Sequence, residues 1–189
     1  MINSYEVLFA NSHKAISDYE NKQTKMQTDA RDWLLRVEPN VFVTLTFNSE
    51  MGVNGECARR VFGTFAHKLK CQLFGKNSKK RIGMCPVIEG SDAEGESLDA
   101  EGRREQTHIH CLMRLPGNPM DYMEMVGRFW MESSRFCGNP KVYCPNNNDW
   151  FLEISSSEKR RALTNYVLKT CSIDIDAVLH EFVSFGSEN

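Results

Sequence analysis

The stretch that decides the fold is Thr107-His108-Ile109-His110-Cys111-Leu112-Met113-Arg114-Leu115-Pro116. It alternates in character and Pro116-Gly117 stops it, so it reads as a β-strand. Side chains of a strand point alternately to its two faces. Ile109, Cys111, Met113 and Leu115 therefore form an apolar face able to cover a core, and His108, His110, Leu112 and Arg114 form the other. That second face carries two imidazoles roughly 7 Å apart on a rigid floor, close enough to grip one divalent ion. A plainer reading fits the same residues: a partly exposed edge strand with two polar side chains outward. The chain's other three histidines lie elsewhere, so the pair is not drawn from a His-rich tract.

Upstream, Arg81 to Glu89 reads as another strand, with Pro86 confining part of it to an edge or a bulge. Gly90 to Gln106 is acidic, Gly-rich and aperiodic, which predicts a long mobile connection. The strands on either side of it would then pair as a hairpin, and directly opposed residues of an antiparallel pair share a face. With Glu89 opposite His108 or close to it, its carboxylate joins the two imidazoles. Glu105 has the wrong parity and Glu101 lies in the connection, so Glu89 is the candidate third ligand. The alternative is a carboxylate that merely ends a strand.

Val41-Phe42-Val43-Thr44-Leu45-Thr46-Phe47 is β-branched and aromatic, as a central strand should be. Val41, Val43, Leu45 and Phe47 take one face, and Phe42, Thr44 and Thr46 the other. The two threonines can line a polar floor, or serve only as good strand formers. Ser12 to Val37 reads as a largely polar helix, apolar only from Trp33 onward and ended by Pro39, and apolar residues at three- and four-residue spacing predict helices over Glu56 to Phe74 and over Pro119 to Phe136. Lys141 to Cys144 and Trp150 to Ile154 read as short strands around the turn Pro145-Asn146-Asn147-Asn148-Asp149. Ser155-x-x-Glu158 is a capping box for a helix over Ser156 to Thr170. On it, Leu163 and Val167 lie on the buried side, and Ala162, Tyr166 and Lys169 lie together on another. A cation beside a phenol favours the phenolate, a better nucleophile. Ile173 to Phe185 reads as one amphipathic helix. The element order, strand-helix-strand-strand-helix-strand-strand-helix, makes the fold class expected α+β with about five strands.

With 189 residues and 41% apolar content the chain can build one proper core. It has no apolar run long enough to span a membrane, and the N-terminus does not read as a secretion signal. Seven scattered cysteines form no Cys-x-x-Cys, which predicts free thiols in a reducing cytoplasm. Net charge is −2, yet seven carboxylates fall between Glu89 and Glu105. Without that stretch 21 basic and 18 acidic residues remain, net +3. Arg59-Arg60, Lys68-x-Lys70, Lys76 to Arg81 and Lys159 to Arg161 form basic clusters. These suit a phosphate backbone or, equally, solvated helix faces.

Three pieces stand in order: Val43-Thr44-Leu45-Thr46-Phe47, His108-Ile109-His110, and Tyr166-Val167-Leu168-Lys169. The ordered set resembles the three motifs of the HUH endonucleases, and is most similar to the single-tyrosine replication initiators of rolling-circle elements. The resemblance spans roughly residues 40 to 171 and implies the family's fold, a central antiparallel sheet flanked by helices. It implies a divalent ion, Mg²⁺ or Mn²⁺, on His108, His110 and Glu89, with Tyr166 as nucleophile and Lys169 near the phosphate. It also implies single-stranded DNA nicked at an origin, with Arg59, Arg60, Lys68, Lys70, Thr44 and Thr46 as candidate DNA contacts. The same chemistry could serve a transposase, a relaxase or an effector nicking a competing genome, and a non-catalytic DNA-binding module is a further alternative. The connection between Glu89 and His108 is longer than the family pattern. No Gly-x-x-x-x-Gly-Lys segment follows the tyrosine helix, so a helicase would come from another protein. The domain organisation expected is a helical extension over 1–40, an endonuclease domain over 41–172 and a C-terminal helix or tail over 173–189.

Overall fold

The computed structural model describes residues 25–47, 53–90, 107–133, 140–141, 150–171 and 177–185. Among them the chain forms helices α1 (Lys25–Leu35), α2 (Gly55–Phe74), α3 (Met123–Met131) and α4 (Ser157–Cys171). The strands are β1 (Val41–Phe47), β2 (Gly83–Glu89), β3 (His108–Arg114), β4 (Pro140–Lys141) and β5 (Phe151–Glu153). The class is α+β, with one open antiparallel sheet. Its path runs β2-β3-β1-β4. Short β5 pairs with β1 alongside β4 instead of lengthening the path, which is one strand shorter than the expected five. No described helix is long and apolar enough to cross a membrane.

β3 lies between β1 and β2, pairing with β1 over His108–Met113 and with β2 over its whole length. It is an interior strand, so the edge-strand reading of the histidine pair does not hold. Both faces of the sheet are covered. Val41, Val43, Leu45, Ile109, Cys111 and Met113 pack under α2 and α3, against Phe62, Phe65 and Trp130. Phe42, Cys85, Val87 and Leu112 pack under α1 and α4, against Leu34, Leu163 and Val167. The parity read from the sequence assigns each strand residue to its observed face. The second face turns polar towards one end, where Thr44, Thr46, His108, His110 and Glu89 follow the apolar rows.

Pro86 sits on β2, an outer strand, where its missing N–H costs no ladder bond. Its carbonyl accepts from the Leu179 N–H at 3.1 Å. This bond belongs to the main departure from expectation. Residues 177–185 do not form an amphipathic helix; they run along the free edge of β2. Val87 bridges Val178 and Met84 bridges Ser184, on either side of a single 3₁₀ turn, His180–Phe182. The segment alternates where it meets the edge: Val178 enters the core on the α1/α4 side and Leu179 the core on the α2/α3 side. An exposed strand edge is a liability that such a cover removes. Edge hydrogen bonding and two-sided burial outweigh the weak helical periodicity that suggested a helix.

Smaller differences have local causes. The cap of α4 is Ser156, whose hydroxyl accepts from the Lys159 N–H at 3.1 Å, one residue later than the capping box predicts. The helix expected from Pro119 opens as a 3₁₀ turn, Pro119–Tyr122, capped by the Asn118 side chain, before α3 begins. α2 matches its prediction within one residue; Asn54 caps it, and Gly75 at φ 87° ends it in the left-handed region that glycine adopts without strain. Cys71, Cys85 and Cys111 are free thiols as expected, whereas Cys57 is disulfide-bonded. The 12–24 part of the first helix, the acidic connection over 91–106, residue Phe136, residues 142–149 and residues 173–176 lie outside the described residues.

Candidate metal centre

The three-strand register builds the site. Glu89 pairs with His108, and Thr46 pairs with His108 from the other side. One row further along, Val87 and Thr44 flank His110. His108 Nε2 and His110 Nε2 are 3.1 Å apart, and Glu89 Oε2 is 3.2 Å from the first and 3.5 Å from the second. Among the described residues this is the group of ligand-bearing side chains gathered tightly enough to share one ion.

The donor set fits a divalent cation. For metal–ligand bonds of about 2.1 Å, adjacent corners of an octahedron lie about 3.0 Å apart and those of a tetrahedron about 3.4 Å. The observed separations, 3.1 to 3.5 Å, match this range to within about 0.1 Å, so the three atoms can occupy one triangular face around a common centre. The opposite positions then remain for water or a phosphate oxygen. Two imidazoles and one carboxylate in this facial arrangement are a recurrent ligand set for divalent metals.

His110 is the more firmly held imidazole. It is buried, its ring stacks on Phe42 with centroids 5.1 Å apart and planes 25° from parallel, and its Nδ1 lies 3.0 Å from the Thr44 hydroxyl. His108 and Glu89 keep some solvent contact at the rim.

Tyr166 comes from α4. Val167 and Leu163 bind this helix to the second core, which leaves Tyr166 beside them over His110 and Phe42, 48% exposed. Its hydroxyl is 3.5 Å from His110 Nε2, its ring meets the His110 ring edge-on at 5.2 Å, and it meets Phe42 likewise at 6.2 Å. The phenol therefore stands directly beside His110, one of the three candidate ligands. Lys169 belongs to the same helix, three positions on; its side chain lies outside the described residues.

The candidate DNA contacts divide. Thr44 and Thr46 sit in the site's own rows. Arg59, Arg60, Lys68 and Lys70 are all on α2, whose apolar stripe packs on the opposite face of the sheet. There Arg59 donates to both carboxylate oxygens of Glu181 at 2.7 and 2.8 Å, Arg60 pairs with Glu56, and Lys68 donates to the Glu132 carbonyl at 2.6 Å. The structure does not bring these four to the metal centre. Helical spacing shows that α2 has a buried side but not which face of the sheet receives it. Phe42 escaped notice in the sequence, although strand parity already placed it on the face of Thr44 and, across the pair, His110.

Comparison with protein-family models, curated proteins and solved structures returns no match for this chain.

Proposed function

We propose that the chain nicks and rejoins single-stranded DNA by tyrosine transesterification at an HUH-type site, with initiation of rolling-circle replication as the use to which the resemblance points. The observation that carries the reading is the Tyr166 hydroxyl 3.5 Å from His110 Nε2, at the edge of the three-ligand cluster. The ordered sequence motifs support it, and so does the antiparallel sheet that carries two of them.

His108, His110 and Glu89 would hold the divalent ion, Mg²⁺ or Mn²⁺, whose chemistry would be to withdraw charge from the scissile phosphate. Tyr166 gives up its phenolic proton and its Oη attacks phosphorus. The P–O3′ bond breaks, and the 3′ oxygen leaves and takes up a proton. The products are a 5′-phosphotyrosine on Tyr166 and a free 3′-hydroxyl. One phosphodiester is exchanged for another, so a 3′-hydroxyl can reverse the step without ATP. The half-exposed position of Tyr166 leaves room for a strand to approach from solvent. Lys169, one helical turn along, is assigned to the phosphate.

The test is a labelled pool of single-stranded oligonucleotides run on a denaturing gel after incubation with Mn²⁺ or with chelator. Wild type forms a covalent protein–DNA adduct only with the metal, and Tyr166→Phe forms none. Cleavage that survives Tyr166→Phe without any adduct makes water the nucleophile and ends the tyrosine reading.

A further inference from the structure

We infer that Thr44 is a positioning residue that holds the His110 ring with its Nε2 lone pair towards the cation. This rests on the metal reading above, and it assigns Thr44 to the ligand His110 instead of to DNA.

The placement starts with the backbone. Thr44 pairs directly with His110 across β1 and β3. Its N–H donates to the Trp150 carbonyl at 2.8 Å, on the side of β1 away from β3. N–H and C=O of one strand residue point the same way, so Thr44 and His110 form a non-hydrogen-bonded pair. In such pairs the Cα atoms approach to about 4.5 Å and the side chains are closest. The 3.0 Å separation of Thr44 Oγ1 and His110 Nδ1 follows from that approach. Thr44 is β-branched, so its hydroxyl swings little once the backbone is fixed.

The chemistry follows from the two ring nitrogens. An imidazole that binds a metal through Nε2 must carry its proton on Nδ1. That proton needs an acceptor, because the ring is buried. Thr44 Oγ1 stands in the position to accept it. The Phe42 ring stacked on the imidazole blocks rotation out of plane, leaving the hydroxyl to decide which nitrogen bears the proton. A hydroxyl does this without adding a charge beside Glu89. Partners of this kind orient first ligands throughout metalloproteins, and their loss typically weakens metal binding about 10- to 100-fold.

The test is isothermal titration of the full, DNA-free chain with Mn²⁺, alongside thermal melting without metal. Thr44→Val should weaken Mn²⁺ binding about 10- to 100-fold, and Thr44→Ser should restore it towards the wild-type value, with all three chains folded. Should Thr44→Val fail to fold, Thr44→Ala set against Thr44→Ser makes the same comparison. Val binding Mn²⁺ like wild type overturns the inference, more so if it loses affinity only for single-stranded DNA. Ser as weak as Val also overturns it, because packing and not the hydroxyl would then matter. These failures leave the metal reading intact. A wild-type chain that takes up no Mn²⁺, or takes it up equally after His110→Ala, overturns both together.

Discussion

His110→Ala removes a metal ligand and a buried ring at once, and the two losses can be measured separately. Without metal, the variant forfeits the contact with the Thr44 hydroxyl, worth about 1 kcal/mol. It also forfeits the stacked pair with Phe42, worth about 0.5–1.5 kcal/mol. With the small void left behind, the loss comes to about 2–3 kcal/mol. At about 2–4 °C per kcal/mol for a chain of this length, the metal-free melting temperature should fall by about 4–12 °C. His108→Ala is the control. That ring sits at the rim of the site with more solvent contact, so its metal-free cost should stay under about 1 kcal/mol.

Adding Mn²⁺ then isolates the ligand role. An ion that binds only the folded chain stabilises it by about 2.7 kcal/mol at a hundredfold excess over Kd, a rise of about 5–11 °C for wild type. Neither variant should show that rise. The assay is a thermal melt followed by near-ultraviolet circular dichroism, with chelator and with Mn²⁺. Equal metal-free losses for the two variants would refute the view that His110 is the structurally held member of the pair. A full Mn²⁺ shift in either variant would show that the ion binds elsewhere.

Three further outcomes follow from the same geometry. Mn²⁺ uptake should weaken as pH is lowered from about 7.5 to about 5.5, because protons compete with the ion for the imidazole lone pairs; titration at both values checks this, and an unchanged affinity removes the histidines from the site. Leu179→Ala should cost about 2–4 kcal/mol, since Leu179 is fully buried where residues 177–185 cover the edge of β2; a wild-type urea midpoint would mean that this segment does not dock. Burial, with Cys85 next to it, pushes the Cys111 thiol well above its usual range, which leaves little reactive thiolate at any ordinary pH. Alkylation of the native chain near pH 8 should therefore mark the half-exposed Cys71 before Cys111, as read by peptide mass spectrometry, with Cys111 reacting only after denaturation.

Strand faces were legible because a period of two leaves only two choices. Thr107 to Leu115 and Val41 to Phe47 each divide into an apolar set and a second set, and both divisions match the observed cores. Helix faces were legible in the same sense, but their destination was not. Nothing in the spacing of Val61, Phe62, Phe65 and Leu69 says whether α2 covers the metal side of the sheet or the other, and only the packing shows that its basic residues belong to the layer opposite the candidate centre. The segment 177–185 misled for a different reason. A short run with a few apolar residues is shaped by the edge it meets, and only the sheet order reveals that β2 has a free edge.

The candidate third ligand poses the sharper question, because parity alone never fixes a row. Alternation puts Glu89 on the face of the histidines, yet a slip of two residues keeps the face and moves the carboxylate roughly 7 Å along the strand, either beyond His108 or into the row of His110. A tight turn would set the register, but the residues between Gly90 and Thr107 are too many to form one. The register must come from the strands themselves. On the α1/α4 side, Cys85 pairs with Leu112, Val87 with His110 and Glu89 with His108, with Phe42 across from Leu112 on the other flank. A two-residue slip would carry Val87 out towards the rim or draw Glu89 inward to the row of His110, under the helix that Val167 anchors. Either move exposes an apolar side chain or buries a carboxylate more deeply. The apolar rows at one end of β2 and β3 thus hold three ligand atoms in place at the other, and the precision of the candidate centre is inherited from a core that contains no chemistry of its own.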